Sequence, residues 1–158
     1  MRFMNPGLRA AMALLPVLFA AGCGPKDTTD AQASAAPVRQ MEAFIKAPPK
    51  NGICVGFRSE AGKPVEDFPD GVIDAEYGKN KWMKRASTCP DPVAHRPDPT
   101  QYGYMTCGVT TRDASNLPQK VTCVLLGTRD STVEYDVGKD ASGQFTIQAA
   151  HVASPSGS

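Results

Sequence analysis

The chain is poor in the groups that do chemistry. Its 158 residues hold only two histidines, His95 and His151, and general acid–base work needs a histidine or a perturbed carboxylate within reach of a substrate proton. Neither falls in a nucleophile-elbow or other triad signature, so both read as surface histidines and the protein as no enzyme. A Cys-x-x-Cys pair is missing, which weighs against zinc. Asp91, His95 and Asp98 bring oxygen and nitrogen donors close together, but their spacing matches no recognised metal loop. A glycine-rich phosphate cradle is missing as well. These absences leave no cofactor and no metal to expect. Charge of one sign is also lacking. Residues 1–22 contain Arg2 and Arg9 and no acid, so the rest carries fifteen basic and sixteen acidic residues. A near-neutral body of this kind gives no global argument for nucleic acid. The apolar run Ala10–Ala21 is twelve residues and contains Pro16, against the ~20 needed to cross a bilayer as a helix. There is no internal repeat.

What is present starts at the N-terminus. Basic residues, then the apolar run, then small residues follow one another in the order of a secretory signal. The end of the run, Phe19-Ala20-Ala21-Gly22-Cys23, resembles the lipobox of bacterial lipoproteins. Gly22 and Cys23 match it, while Ala20 stands where that family most often has leucine. The resemblance implies that residues 1–22 are a signal peptide, removed as Cys23 is lipidated and becomes the new N-terminus. Each buried methylene adds ~0.8 kcal/mol of membrane affinity, so the several chains carried by such cysteines anchor stably. In this family an Asp directly after the cysteine tends to retain the protein at the inner membrane. Here that residue is Gly24, which points to the outer membrane, facing the periplasm.

From Cys23 to Pro37 there is no large apolar residue, and such a segment reads as a flexible tether. Residues 38–152 have the length of one domain, and the last six, 153–158, read as a disordered tail. Cys54, Cys89, Cys107 and Cys123 form an even set in an exported chain, the mark of two disulfides with three connectivities open. A hairpin turning at Asp113–Leu117 would set Cys107 opposite Cys123, close enough to bridge, which favours that pairing together with Cys54–Cys89.

Val38, Met41, Phe44 and Ile45 recur at helical spacing and Pro48-Pro49 ends the pattern, which predicts a short amphipathic helix. Gly52–Phe57 reads as a short strand, Val72–Tyr77 as a further candidate strand, and Cys89–Pro99, with prolines at 90, 92, 97 and 99, as a loop. Tyr102–Thr110, Lys120–Gly127, Thr132–Val137 and Phe145–Ala149 are strand-like, with Val137 expected near Phe145 and Tyr135 near Ile147. The fold expected is α+β and β-dominated: a small antiparallel meander of four to five strands, stapled by disulfides. Its apolar face is covered by the short N-terminal helix or the Cys54 strand.

The densest basic cluster is Lys79, Lys81, Lys84 and Arg85 around Trp82. It is the candidate binding surface, with Trp82 as an apolar anchor; the plainer reading sends Trp82 into the core and leaves the lysines in solvent. A small stapled body without catalytic groups suits binding better than turnover. The expectation is a membrane-anchored module for a protein partner in the cell envelope, an inhibitor or immunity protein against an envelope-targeting enzyme. The alternative is a structural accessory of a secretion or outer-membrane assembly complex, docked through its N-terminal segment.

Overall fold

The computed structural model describes residues 25–41, 45, 47–60, 63–90, 98, 100–127 and 131–152. The signal-peptide and lipobox residues, Cys23 included, lie outside that set, as do the tail at 153–158, Phe44, Asp91 and His95.

The first element corrects an expectation. Helix α1 runs Pro25–Gln40, through most of the segment read as a flexible tether, and it ends where the amphipathic helix was expected to begin. Proline suits a first helical position because its missing N–H would have no partner there. Ala31, Ala33, Ala35 and Ala36 follow, all buried together with Val38 and Met41. A lack of large side chains had argued against burial. However, alanine has the best helix propensity and loses no side-chain entropy on ordering, so an alanine helix can lie close against a sheet at little cost. Pro37 sits inside α1, where it removes one backbone donor, and the helix stops three residues later.

The sheet has six strands: β1 (Ile53–Phe57), β2 (Met83–Arg85), β3 (Gly103–Arg112), β4 (Pro118–Leu126), β5 (Ser131–Lys139) and β6 (Phe145–Val152). Their order is β2-β1-β3-β4-β5-β6. β3 to β6 form the expected antiparallel meander. β1 does not cover that meander. It joins it edge to edge, parallel to both β3 and β2, so the sheet is mixed. Parallel neighbours need a long crossover; helix α2 (Asp74–Lys79) lies in the one from β1 to β2. The candidate strand at Val72–Tyr77 is thus largely helical. Ile73 is buried and Asp74 holds the Gly71 N–H, which ties this segment to the body as a turn and a helix.

Two hairpins are closed by the same device. Asp113 Oδ1 accepts from the N–H groups of Ser115 and Leu117, and Asn116 takes the left-handed conformation at φ 62°. Asp140 Oδ1 accepts from Ser142 and Gln144, with Gly143 at φ 82°. Glycine adopts that region freely and asparagine tolerates it. The Asp140 turn also corrects the last hairpin. It brings Lys139 opposite Phe145 and Val137 opposite Ile147, and a bulge then sets Tyr135 against Ala150, two to three residues from the expected pairs.

One face of the sheet carries Val55, Phe57, Met105, Val121, Tyr135 and Val137 into a core shared with α1, Phe68 and Ile73. Phe57 and Phe68 pack with their rings tilted and their centroids 5.5 Å apart. Both expected disulfides are formed. Cys107 lies opposite Cys123 on β3 and β4, and Cys54 on β1 reaches Cys89 beyond β2.

Candidate functional site

The basic cluster forms a corner where α2 turns into β2 at the sheet edge. The turn is held by Met83 N–H donating to Asn80 O at 2.9 Å, and β1 is tied to it by Ile53 N–H donating to Trp82 O at 2.8 Å. Gly52, at φ 91°, lies against that carbonyl, and a Cβ there would come within 2.1 Å of it. The close approach therefore requires glycine. Trp82 is half-buried and packs against the core, between the two readings, so its indole serves the body of the protein as well as the surface.

The cations are unequally matched. Arg85 donates to Asp74 at 2.9 Å, lies 3.8 Å from Asp70, and stands 4.9 Å over the Tyr77 ring. Lys79 pairs with Glu76 at 3.5 Å. Lys84 lies 5.8 Å over the Tyr102 ring, a cation–π contact. Lys81 is exposed, and neither Lys81 nor Lys84 has an ion pair among the described residues. The corner is therefore two-sided, with Arg85 locked into the structure, Lys81 projecting its charge into solvent and Lys84 half-buried over the Tyr102 ring. β2 is also short and charged, which discourages indiscriminate edge pairing.

Behind the corner, polar groups go into the interior. Arg39 of α1 lines a cavity of about 420 Å³ with Gln32, Asp70, Gly71 and Phe145. Its Nη1 is buried with no hydrogen-bond partner among the described residues. Burial lowers the pKa of its guanidinium, an effect that Glu76 opposes. The Tyr77 hydroxyl is likewise buried without a described partner, and burial pushes its pKa up to about 12, against the pull of Arg85. The fold thus favours the neutral phenol. The contribution of this group to stability is present in full below pH 10 and falls away between pH 10 and about 12, where the unfolded chain ionises first. Tyr77→Phe is expected to stabilise the protein by about 1 kcal/mol at neutral pH, by removing an unsatisfied buried hydroxyl. It should also blunt the alkaline loss, and urea unfolding at pH 7 and pH 11 measures both effects.

Of the groups considered for catalysis or metal, His151 and Asp98 fall among the described residues. His151 is exposed on β6, 3.0 Å from Asp136. The Asp98 carboxylate accepts from its own loop at Thr100, which holds its pKa below the usual range. Among the described residues no cluster of three metal-binding side chains occurs, and no helix is long and apolar enough to cross a membrane. One buried charge escaped sequence reasoning entirely. Asp30 on α1 is 2% exposed and pairs with Arg112 at the end of β3. The two are 82 residues apart, so no local pattern could have announced them. Comparison with family models, curated proteins and solved structures gave no match.

Proposed function

We propose that the protein is a lipoprotein anchored through Cys23 in the bacterial outer membrane, facing the periplasm, where its folded body binds another protein without catalysing a reaction. An inhibitor or immunity protein against an envelope-targeting enzyme is the role this reading favours. The anchoring rests on Gly22-Cys23 directly behind a basic and apolar leader. The two disulfides accord with an oxidising compartment. The observation that carries binding is the corner itself, where an exposed Lys81 and a half-buried Lys84, neither ion-paired among the described residues, flank a half-buried tryptophan. That arrangement suits an acidic protein surface, since charge of one sign steers encounter and a neighbouring aromatic gives it an apolar centre. An accessory docked through its N-terminal segment is less well served, because most of α1 is buried in the body.

The test is in-cell cross-linking of the tagged protein from the envelope fraction, with partners identified by mass spectrometry. The expected result is one soluble enzyme or toxin in roughly equal amount, with binding weakened about tenfold or more by Lys81→Glu with Lys84→Glu. Recovery of a multi-protein envelope complex instead would overturn the reading. Cys23→Ala should abolish palmitate incorporation and release the protein from the membrane fraction.

A further inference from the structure

β1 ends at Phe57, opposite Cys107, but β3 continues for the five residues Gly108–Arg112. The chain leaving β1 turns away, with Phe57 bridging to Glu66. Beside the outer half of β3 the sheet therefore has a strand position that no described segment fills. A cavity of about 430 Å³ occupies it, walled by Arg58–Glu60 and floored by β3 and β4.

The backbone of β3 is oriented towards this notch. Cys107 and Cys123 face each other with Cα atoms 4.1 Å apart, the close, non-hydrogen-bonded type of antiparallel pair, whose N–H and C=O groups point away from the partner strand. Those of Cys107 accordingly point to the β1 side, where its carbonyl accepts from Arg58 N–H at 2.9 Å. Val109, two residues on and opposite Val121, has the same orientation, so its N–H and C=O face the cavity. Thr106, Thr110 and Thr122 line it, with the hydroxyls of Thr110 and Thr122 at 3.1 Å. Asp30 lines it from the helix side. One of its oxygens is on Arg112, and Oδ1 is buried with no hydrogen-bond partner among the described residues.

We propose that this notch binds an extended polypeptide segment of a partner protein, which adds to the sheet alongside β3 and continues the line of β1. Strand addition takes its affinity from main-chain hydrogen bonds and its selectivity from the side-chain positions beneath. Here the main-chain groups are those of Val109, the floor is threonine hydroxyls, and Asp30 Oδ1 accepts from a donor side chain such as lysine, asparagine or glutamine. Among the described residues no aromatic ring lines the cavity, which gives ligands that bind by stacking no platform there. A register shift between Val109 and Thr111 confines pairing to a short stretch around Val109, because a bulge interrupts the ladder. The notch lies at the opposite end of β1 from the residues that pair with β2, and it does not depend on the basic corner.

The probe is an acetylated, amidated heptapeptide alternating threonine and valine with a central lysine, titrated into the ¹⁵N-labelled protein. The amides of Gly108–Arg112 and of Asp30 should shift together. Methylating alternate peptide nitrogens should weaken binding about tenfold or more, since each loses a ladder hydrogen bond. Thr111→Lys, an exposed edge charge that discourages pairing, should weaken it similarly. Shifts confined to β6 or to the Lys81–Arg85 corner, equal binding of the methylated peptide, or no shifts at all would overturn the proposal. The partner captured by cross-linking is a separate readout, so the notch can fail while the anchored-binder reading stands, and the reverse.

Discussion

Arg112→Ala is expected to destabilise the fold by about 3 kcal/mol, and Asp30→Asn by only about 1 kcal/mol, although the two substitutions break the same ion pair. The difference lies in what is left behind. Asp30 is 2% exposed, so without Arg112 a carboxylate remains in the interior with its charge uncompensated, which is the costly way to break a buried pair. The Arg112 side chain is 22% exposed, so it can turn to water when its partner becomes a neutral amide. Arg112 also donates to Asn116 O at 3.1 Å, and the alanine variant loses that tie to the β3–β4 turn. Urea midpoints of the two variants, measured at pH 7, give the order directly. Equal losses would mean that Asp30 reaches solvent in solution.

Removing the disulfides should cost as much or more. The two bridges close loops of 35 and 16 residues. Loop-closure entropy alone then assigns ~4 kcal/mol to Cys54–Cys89 and ~3 kcal/mol to Cys107–Cys123. The structure sharpens the ranking. Cys107 and Cys123 sit in a hairpin whose turn is already fixed by Asp113, and their strands pair along most of their length. Cys54–Cys89, by contrast, fastens β1 to the segment beyond β2, and β2 is held to the sheet through three residue pairs. The double variant Cys54→Ala with Cys89→Ala is therefore expected to melt lower than Cys107→Ala with Cys123→Ala. β2 and the basic corner should loosen first by hydrogen exchange. The reverse order of melting would show that the hairpin bridge, and not the β1 clip, limits unfolding.

The hairpins and the Cys107–Cys123 bridge were legible because they depend on nearby residues, namely alternating side chains, a turn-rich gap and two cysteines equidistant from it, and Cys54–Cys89 followed as the remaining pair. The Cys54 strand was legible as a strand but not in its place, because parallel pairing depends on a crossover whose path no local pattern records. α1 was missed for a different reason. Sequence periodicity looks for large apolar residues, whereas Ala31, Ala33, Ala35 and Ala36 bury themselves by being small. The basic corner could be named residue by residue, yet the matching of its charges could not. Asp70 and Asp74 precede Arg85 by 15 and 11 positions, and only the fold brings them together. The notch beside β3 had no sequence signal at all, since it is made by one strand being shorter than its neighbour.

The early start of α1 bears on how the protein would meet a partner. A coil spanning residues 23–37 would act as a leash with an r.m.s. reach of ~20 Å, letting the body sweep a hemisphere above the bilayer. With the helix beginning at Pro25, only Gly24 separates the proposed lipid on Cys23 from the folded mass. If the proposed anchor is in place, the body would be worn like a brooch: it would diffuse along the membrane plane with a restricted orientation and meet what comes down to the lipid headgroups.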